Sequence, residues 1–145
     1  MKQFLSNNDN RPLAFITMCA DPIHHGHINI LQKAKEYGSV VVGLMTDNAM
    51  KAYKGPPMIT FEKRLEVILE LKSVSYAIPI ESIDFVPVLR KYKFEFFLHG
   101  DDWKDGIQAK SRDEAIKVMA EWGGLVIDVP YTKGVSASAL KRNIN

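Results

Sequence analysis

With 145 residues, 46% of them hydrophobic and 25% charged, the chain has the profile of one globular domain with a single core. A net charge of +2 is too small to argue for nucleic acid as a partner, and no apolar run approaches the roughly 20 residues of a membrane span. The single cysteine, Cys19, excludes an intrachain disulfide and suits a reducing cytoplasm.

The first twelve residues, MKQFLSNNDNRP, are polar, lack a secretory apolar region and read as a flexible lead-in to one domain spanning 13–145. Leu13 to Met18 reads as a buried strand, followed by a helix from Gly26 to Tyr37 that Gly38 stops. Val40 to Met45 is a continuous apolar run, as expected of a parallel strand buried on both faces. Asp47 to Tyr53 fits a short helix, and Lys54-Gly55-Pro56-Pro57 cannot be helical. Thr60 can cap a helix running to Lys72, with Phe61, Leu65, Ile68, Leu69 and Leu71 on its buried face. Tyr76 to Ile80 is a third strand, and Phe85 to Lys91 a short helix with Pro87 in its first turn. Phe94 to His99 is a fourth strand, ending in Gly100-Asp101-Asp102-Trp103. A helix from Ser111 to Trp122 stops at Gly123-Gly124, and Leu125 to Val129 is a fifth strand. The loop from Pro130 to Val135 leads to Ser136, which caps a last helix from Ala137 to Arg142.

This alternation predicts an α/β fold, a Rossmann-like doubly wound sheet of five parallel strands in the order 3-2-1-4-5. In that order the first and fourth strands are neighbours. Their C-terminal ends carry His24-His25-Gly26-His27 and Gly100-Asp101, and the end of the fifth carries Gly134 and Ser136. Three polar turns distant in sequence converge on the rim where such sheets bind ligands. The N–H groups of a helix start favour an anion there. Gly26 allows a phosphate close to the backbone, and the imidazoles of His24 and His27 can donate to its oxygens. This points to a nucleoside triphosphate site.

The pattern H-x-G-H resembles the signature of the small cytidylyltransferases within the nucleotidyltransferase superfamily. The resemblance extends along the chain in family order. Lys54-Gly55-Pro56-Pro57 is similar to a segment of ethanolamine-phosphate and choline-phosphate enzymes, and Glu62-Lys63-Arg64 to the segment with the family's functional arginine. His99-Gly100-Asp101-Asp102-Trp103 resembles the G-D-D-W block of glycerol-3-phosphate cytidylyltransferases, and the block from Thr132 to Ser138 resembles R-T-x-G-I-S-T-T. The segments HHGH, HGDDW, AEWGG and PYTKG are also similar to the cytidylyltransferase half sometimes joined to phosphoenolpyruvate mutase.

The resemblance implies transfer of CMP from CTP to a small phosphoalcohol or phosphonate with release of pyrophosphate. It implies Mg2+ on the phosphates, with no residue singled out as its ligand, and a homodimer. His24, His27, Lys54 and Arg64 would be the catalytic residues. Met18, Cys19, Ala20, Gly26, Gly100, Asp101, Tyr131, Thr132, Gly134, Val135, Ser136 and Ser138 would hold the nucleotide together with the two histidines. Lys51, Lys54 and Asp21 would meet the acceptor. From the residues alone, Lys51 and Lys54 also read as a solvated pair, and Arg64 as an ion-pair partner of Glu62 or Glu66. Adenylyl transfer, a nucleotide-sensing module and a metal hydrolase using His24, His25, His27, His99, Asp21 and Asp101 are the competing functions.

Overall fold

The computed structural model describes residues 10–104 and 106–130. The strands are β1 (Leu13–Met18), β2 (Ser39–Met45), β3 (Val74–Ile80), β4 (Phe96–Gly100) and β5 (Leu125–Val129). The helices are α1 (His25–Lys35), α2 (Asp47–Tyr53), α3 (Phe61–Leu69), α4 (Val86–Tyr92) and α5 (Ala109–Met119). All neighbouring strands pair in parallel, in the order β3-β2-β1-β4-β5. This is the expected doubly wound α/β sheet. Ends differ by one to three residues: β3 starts at Val74, α3 stops at Leu69, and β4 runs through Gly100. Two short 3-10 helices, Asp101–Lys104 and Gly106–Gln108, occupy the connection expected to be a loop.

β1 and β2 are apolar at almost every position because helices cover both faces. On one face Phe15, Phe94, Phe97, Leu89 and Trp103 form a layer, with Phe15 and Phe94 stacked at 4.3 Å and 3°. On the other, Ile16, Leu31, Ala34, Val42, Ile68 and Leu98 form a second layer. Gly43 permits the first layer to close: a Cβ there would lie 2.7 Å from Ile80 Cγ1 and 2.8 Å from Phe15 Cζ.

The end of the lead-in is tied down. The Arg11 guanidinium donates to the carbonyls of Tyr92 (2.6 Å) and Lys93 (3.1 Å) and to both oxygens of Glu95 at 3.0 Å. Glu95 also accepts from the Leu13 N–H at 2.8 Å, and the Pro12 carbonyl accepts from Ser39 at 2.9 Å. Residues 11 and 12, expected to be loose, are therefore fixed to the N-terminal edge of the sheet. The Ser136 cap and the last helix lie outside the described residues.

Candidate active site

A cavity of about 290 Å3 opens at the C-terminal ends of β1 and β4, the neighbours at the topological switch. Its lining includes Met18, Cys19, Ala20, His24, Gly26, His27, Lys54 and Gly100. The structure thus gathers eight residues singled out in the sequence. Tyr131, Thr132, Gly134, Val135, Ser136 and Ser138 lie outside the described residues.

The start of α1 is built by its own histidines. His24 is the N-cap, in extended conformation (φ −146°, ψ 178°), and its Nδ1 accepts from the Gly26 N–H at 3.1 Å. His27 Nδ1 accepts in turn from the His24 N–H at 3.1 Å. The two rings lie 4.0 Å apart, and together they form a reciprocal capping box with imidazoles in place of a hydroxyl and a carboxylate. An Nδ1 that accepts a backbone N–H carries no proton, so each neutral ring is the Nε2–H tautomer. Burial, reinforced by His24 and the Lys54 cation, pushes the His27 pKa down to about 3. Burial and the neighbouring His25 also lower that of His24. At neutral pH the pair is therefore two uncharged Nε2–H donors. His25 is exposed and does not line the cavity.

Lys54 is placed from a distance. After β1 the chain turns through Ala20, whose φ of 53° lies in the left-handed region, and Asp21 follows with 1% exposure. The Asp21 carboxylate accepts from the N–H groups of Met58 (2.9 Å) and Ile59 (2.8 Å). That stitch fixes the Lys54-Gly55-Pro56-Pro57 segment beside the end of β1. Asp21 was expected to meet the acceptor; instead it is buried and outside the cavity lining, because two backbone donors hold it inward.

Arg64 also differs from expectation. It is 1% exposed, and its guanidinium donates to four groups of the chain. Nε reaches the Ile59 carbonyl at 2.8 Å; one terminal nitrogen reaches the carbonyls of Cys19 (2.7 Å) and Met45 (2.8 Å); the other reaches Asp47 Oδ1 at 2.8 Å. It clamps the exits of β1 and β2 and does not line the cavity. Its ion-pair partner is Asp47, not Glu62 or Glu66. Lys51 is exposed on α2 and absent from the lining, and Asp101 sits half-buried in the 3-10 turn beyond Gly100, also outside it.

Tyr53, Ile83, Phe85 and Gln108 also line the cavity and were not singled out in the sequence, and His99, named there only in the block after the fourth strand and as a hydrolase ligand, lines it too. The Gln108 amide donates to the Tyr53 hydroxyl. For His99 a signal existed: it ends β4 on the same rim as His24. Among the described residues no group of three or more His, Cys, Asp or Glu could hold a metal ion, and no carboxylate lines the cavity. Mg2+ prefers hard oxygen ligands and keeps several waters. The described residues do not build a site for it.

A family model described as cytidylyltransferase-like matches residues 17–143. Ethanolamine-phosphate cytidylyltransferase from Mus musculus is 30% identical over 124 residues, covering 84% of this chain and 30% of that protein. The bifunctional protein HldE of Gluconobacter oxydans is 31% identical over 135 residues, covering 91% of this chain and 27% of that one. The chain spans a third or less of the length of these relatives. The crystal structure of a lipopolysaccharide core biosynthesis protein from Thermoplasma volcanium superposes with a TM-score of 0.68 at 26% identity, covering 85% of this chain and 98% of that one.

Proposed function

The chain belongs to the cytidylyltransferase-like family, and we propose that it transfers CMP from CTP to a small phosphoalcohol or phosphonate. A phosphate or phosphonate oxygen of the acceptor attacks the α-phosphorus of CTP. The bond from that phosphorus to the bridging oxygen breaks, and its electron pair leaves with pyrophosphate. A phosphate monoester is already largely ionised at neutral pH, so the attack needs no general base. No covalent enzyme intermediate is required.

The observation that carries this reading is the pair of neutral imidazoles locked as Nε2–H donors at a helix start, on one cavity with Lys54. Negative charge builds on the non-bridging oxygens of the α-phosphoryl group in the transition state. Fixed donors aimed there need no reorganisation as the charge grows. Lys54 screens the repulsion between two polyanions, an effect worth far more in a cavity than in bulk water. Mg2+ bound to the triphosphate would neutralise further charge on the leaving group. Arg64 and Asp21 support the site by holding its walls.

The reading is tested by pyrophosphate release from the purified chain with Mg2+, CTP or ATP, and a panel of acceptors. The panel holds glycerol phosphate, ethanolamine phosphate, choline phosphate, hydroxyethylphosphonate and aminoethylphosphonate. Acceptor-dependent release, at least tenfold faster with CTP, is expected. Faster release with ATP would make the chain an adenylyltransferase. Binding of CTP without release would make it a sensing module, and acceptor-independent release a hydrolase. The homodimer implied by the resemblance and the cytoplasmic location suggested by the single cysteine are also proposals; sedimentation equilibrium tests the first. No helix among the described residues is long and apolar enough to cross a membrane.

A further inference from the structure

Two helices on one face of the sheet are joined across the switch point. α2 follows β2 and α5 follows β4, and β1 runs between those two strands. Ala49 and Met50 of α2 and Ala115 and Val118 of α5 sit in the same apolar layer. At the cavity the link is side chain to side chain: the Gln108 amide donates to the Tyr53 hydroxyl, and both residues belong to the lining. Gln108 is the N-cap of α5 but makes no side-chain bond to its own helix. Its amide is turned toward α2 instead. Ser111, one turn on, donates from Oγ to the Ile83 carbonyl at 3.0 Å, which ties the start of α5 to the connection after β3 as well.

Tyr53 is the last residue of α2, and Lys54 is its C-cap. The N–H groups of Lys54 and Gly55 both donate to the Met50 carbonyl, at 2.7 and 2.8 Å, so the lysine backbone follows the last turn of α2. The Lys54 side chain folds back: Nζ lies over the Tyr53 ring, 5.8 Å from its centroid, within the reach of a cation–π attraction. Lys54 as a whole is exposed, and a flexible four-carbon stem in water has many rotamers to lose when its charge is fixed. A helix of seven residues does not hold its own orientation. α2 is fastened at its start by Arg64 on Asp47 and at its end by Gln108 on Tyr53.

We propose that Tyr53 and Gln108 are positioning residues for the Lys54 cation: the amide fixes the phenol, and the ring directs the ammonium toward the phosphates. A cation already in place stabilises the transition state without losing freedom as that state forms. The role is the same whether the nucleotide or the acceptor lies nearer to Lys54. This rests on reading the cavity as a cytidylyl-transfer site in which Lys54 screens the reacting phosphates.

A double-mutant cycle with Lys54 separates this from a merely structural role. Gln108→Leu removes the amide at nearly constant size, and Tyr53→Phe removes the hydroxyl but keeps the ring. Each should lower kcat/KM for CTP about fivefold, the equivalent of one lost hydrogen bond, with a urea midpoint close to that of the parent. Combined, the two should cost no more than either alone. In a Lys54→Met background, itself slower, adding Gln108→Leu should change kcat/KM by less than about 1.5-fold. A comparable loss in both backgrounds, or no loss in the parent, overturns the proposal. The same cycle is read without turnover in calorimetric affinity for a CTP analogue with a methylene between the α- and β-phosphates. Gln108→Leu should weaken binding about threefold in the parent and leave it unchanged in Lys54→Met. If the wild type releases no pyrophosphate with any acceptor, the transfer reading falls and the affinity cycle alone decides the positioning. Equal weakening in both backgrounds, or an analogue that does not bind the wild type, then overturns it.

Discussion

Arg64→Met separates a structural clamp from a ligand contact. The substitution keeps an unbranched apolar side chain but removes the guanidinium, leaving the carbonyls of Cys19, Met45 and Ile59 and the Asp47 carboxylate without this donor. Breaking a buried ion pair from one side costs about 3–5 kcal/mol. The Asp47 side chain is 35% exposed, so water recovers part of its charge and the low end, about 3 kcal/mol, is expected. Against a typical total of about 5–15 kcal/mol this is a large fraction. With an m-value of about 2 kcal/mol/M, the urea midpoint should fall by about 1.5 M with m unchanged. Arg64→Lys keeps a cation near Asp47, but one ammonium cannot span four acceptors on three segments, and about half the loss should remain. Urea unfolding followed by tryptophan fluorescence measures both. A midpoint for Arg64→Met equivalent to less than 1 kcal/mol from the parent would refute the clamp. Arg64→Lys at full stability but without turnover would return the guanidinium to the ligand, as the family resemblance implied.

His27→Ala should lower kcat by about 100- to 1000-fold, the scale of losing one donor to a transition-state oxyanion, while costing only about 1 kcal/mol of stability through the broken cap; steady-state rates and urea midpoints check both, and a near-normal rate removes the role. The His27 imidazole, with its pKa near 3, should not titrate in NMR between pH 5 and 8; a midpoint near 6.5 would refute the locked tautomer. Between pH 6.5 and 3 the unfolded chain takes up a proton at this residue and the folded chain does not. Stability should therefore fall as the pH drops through that window, by at most about 1.4 kcal/mol per pH unit from this group.

The strand order was legible because buried parallel strands read as unbroken apolar runs, and glycines and prolines punctuated the helices. Val40 to Met45 could be little else. The convergence of His24 and His27 with Gly100 followed from that order, since it needs only which strand end each residue occupies; Lys54, which follows α2, was pointed to by the family resemblance. What the sequence did not carry was direction. Asp21 and Arg64 have the right charge for a substrate site, yet each turns inward because unsatisfied backbone groups lie closer than any ligand could: two N–H groups after Pro57 for the first, three carbonyls for the second. The helical pattern of α3 likewise hid Arg64, which takes a buried position on the face assigned to Phe61, Leu65 and Ile68. Tyr53 and Gln108 come together across 55 residues by a contact that no local pattern encodes.

The fastening of Arg11 and Pro12 has a practical corollary. It lies at the foot of β1, and the ligand cavity lies at the head. Six extended residues separate them, or about 20 Å. A purification tag, a surface tether or a fused module that replaces residues 1–9 would therefore join the β-layer at the end opposite the mouth of the pocket.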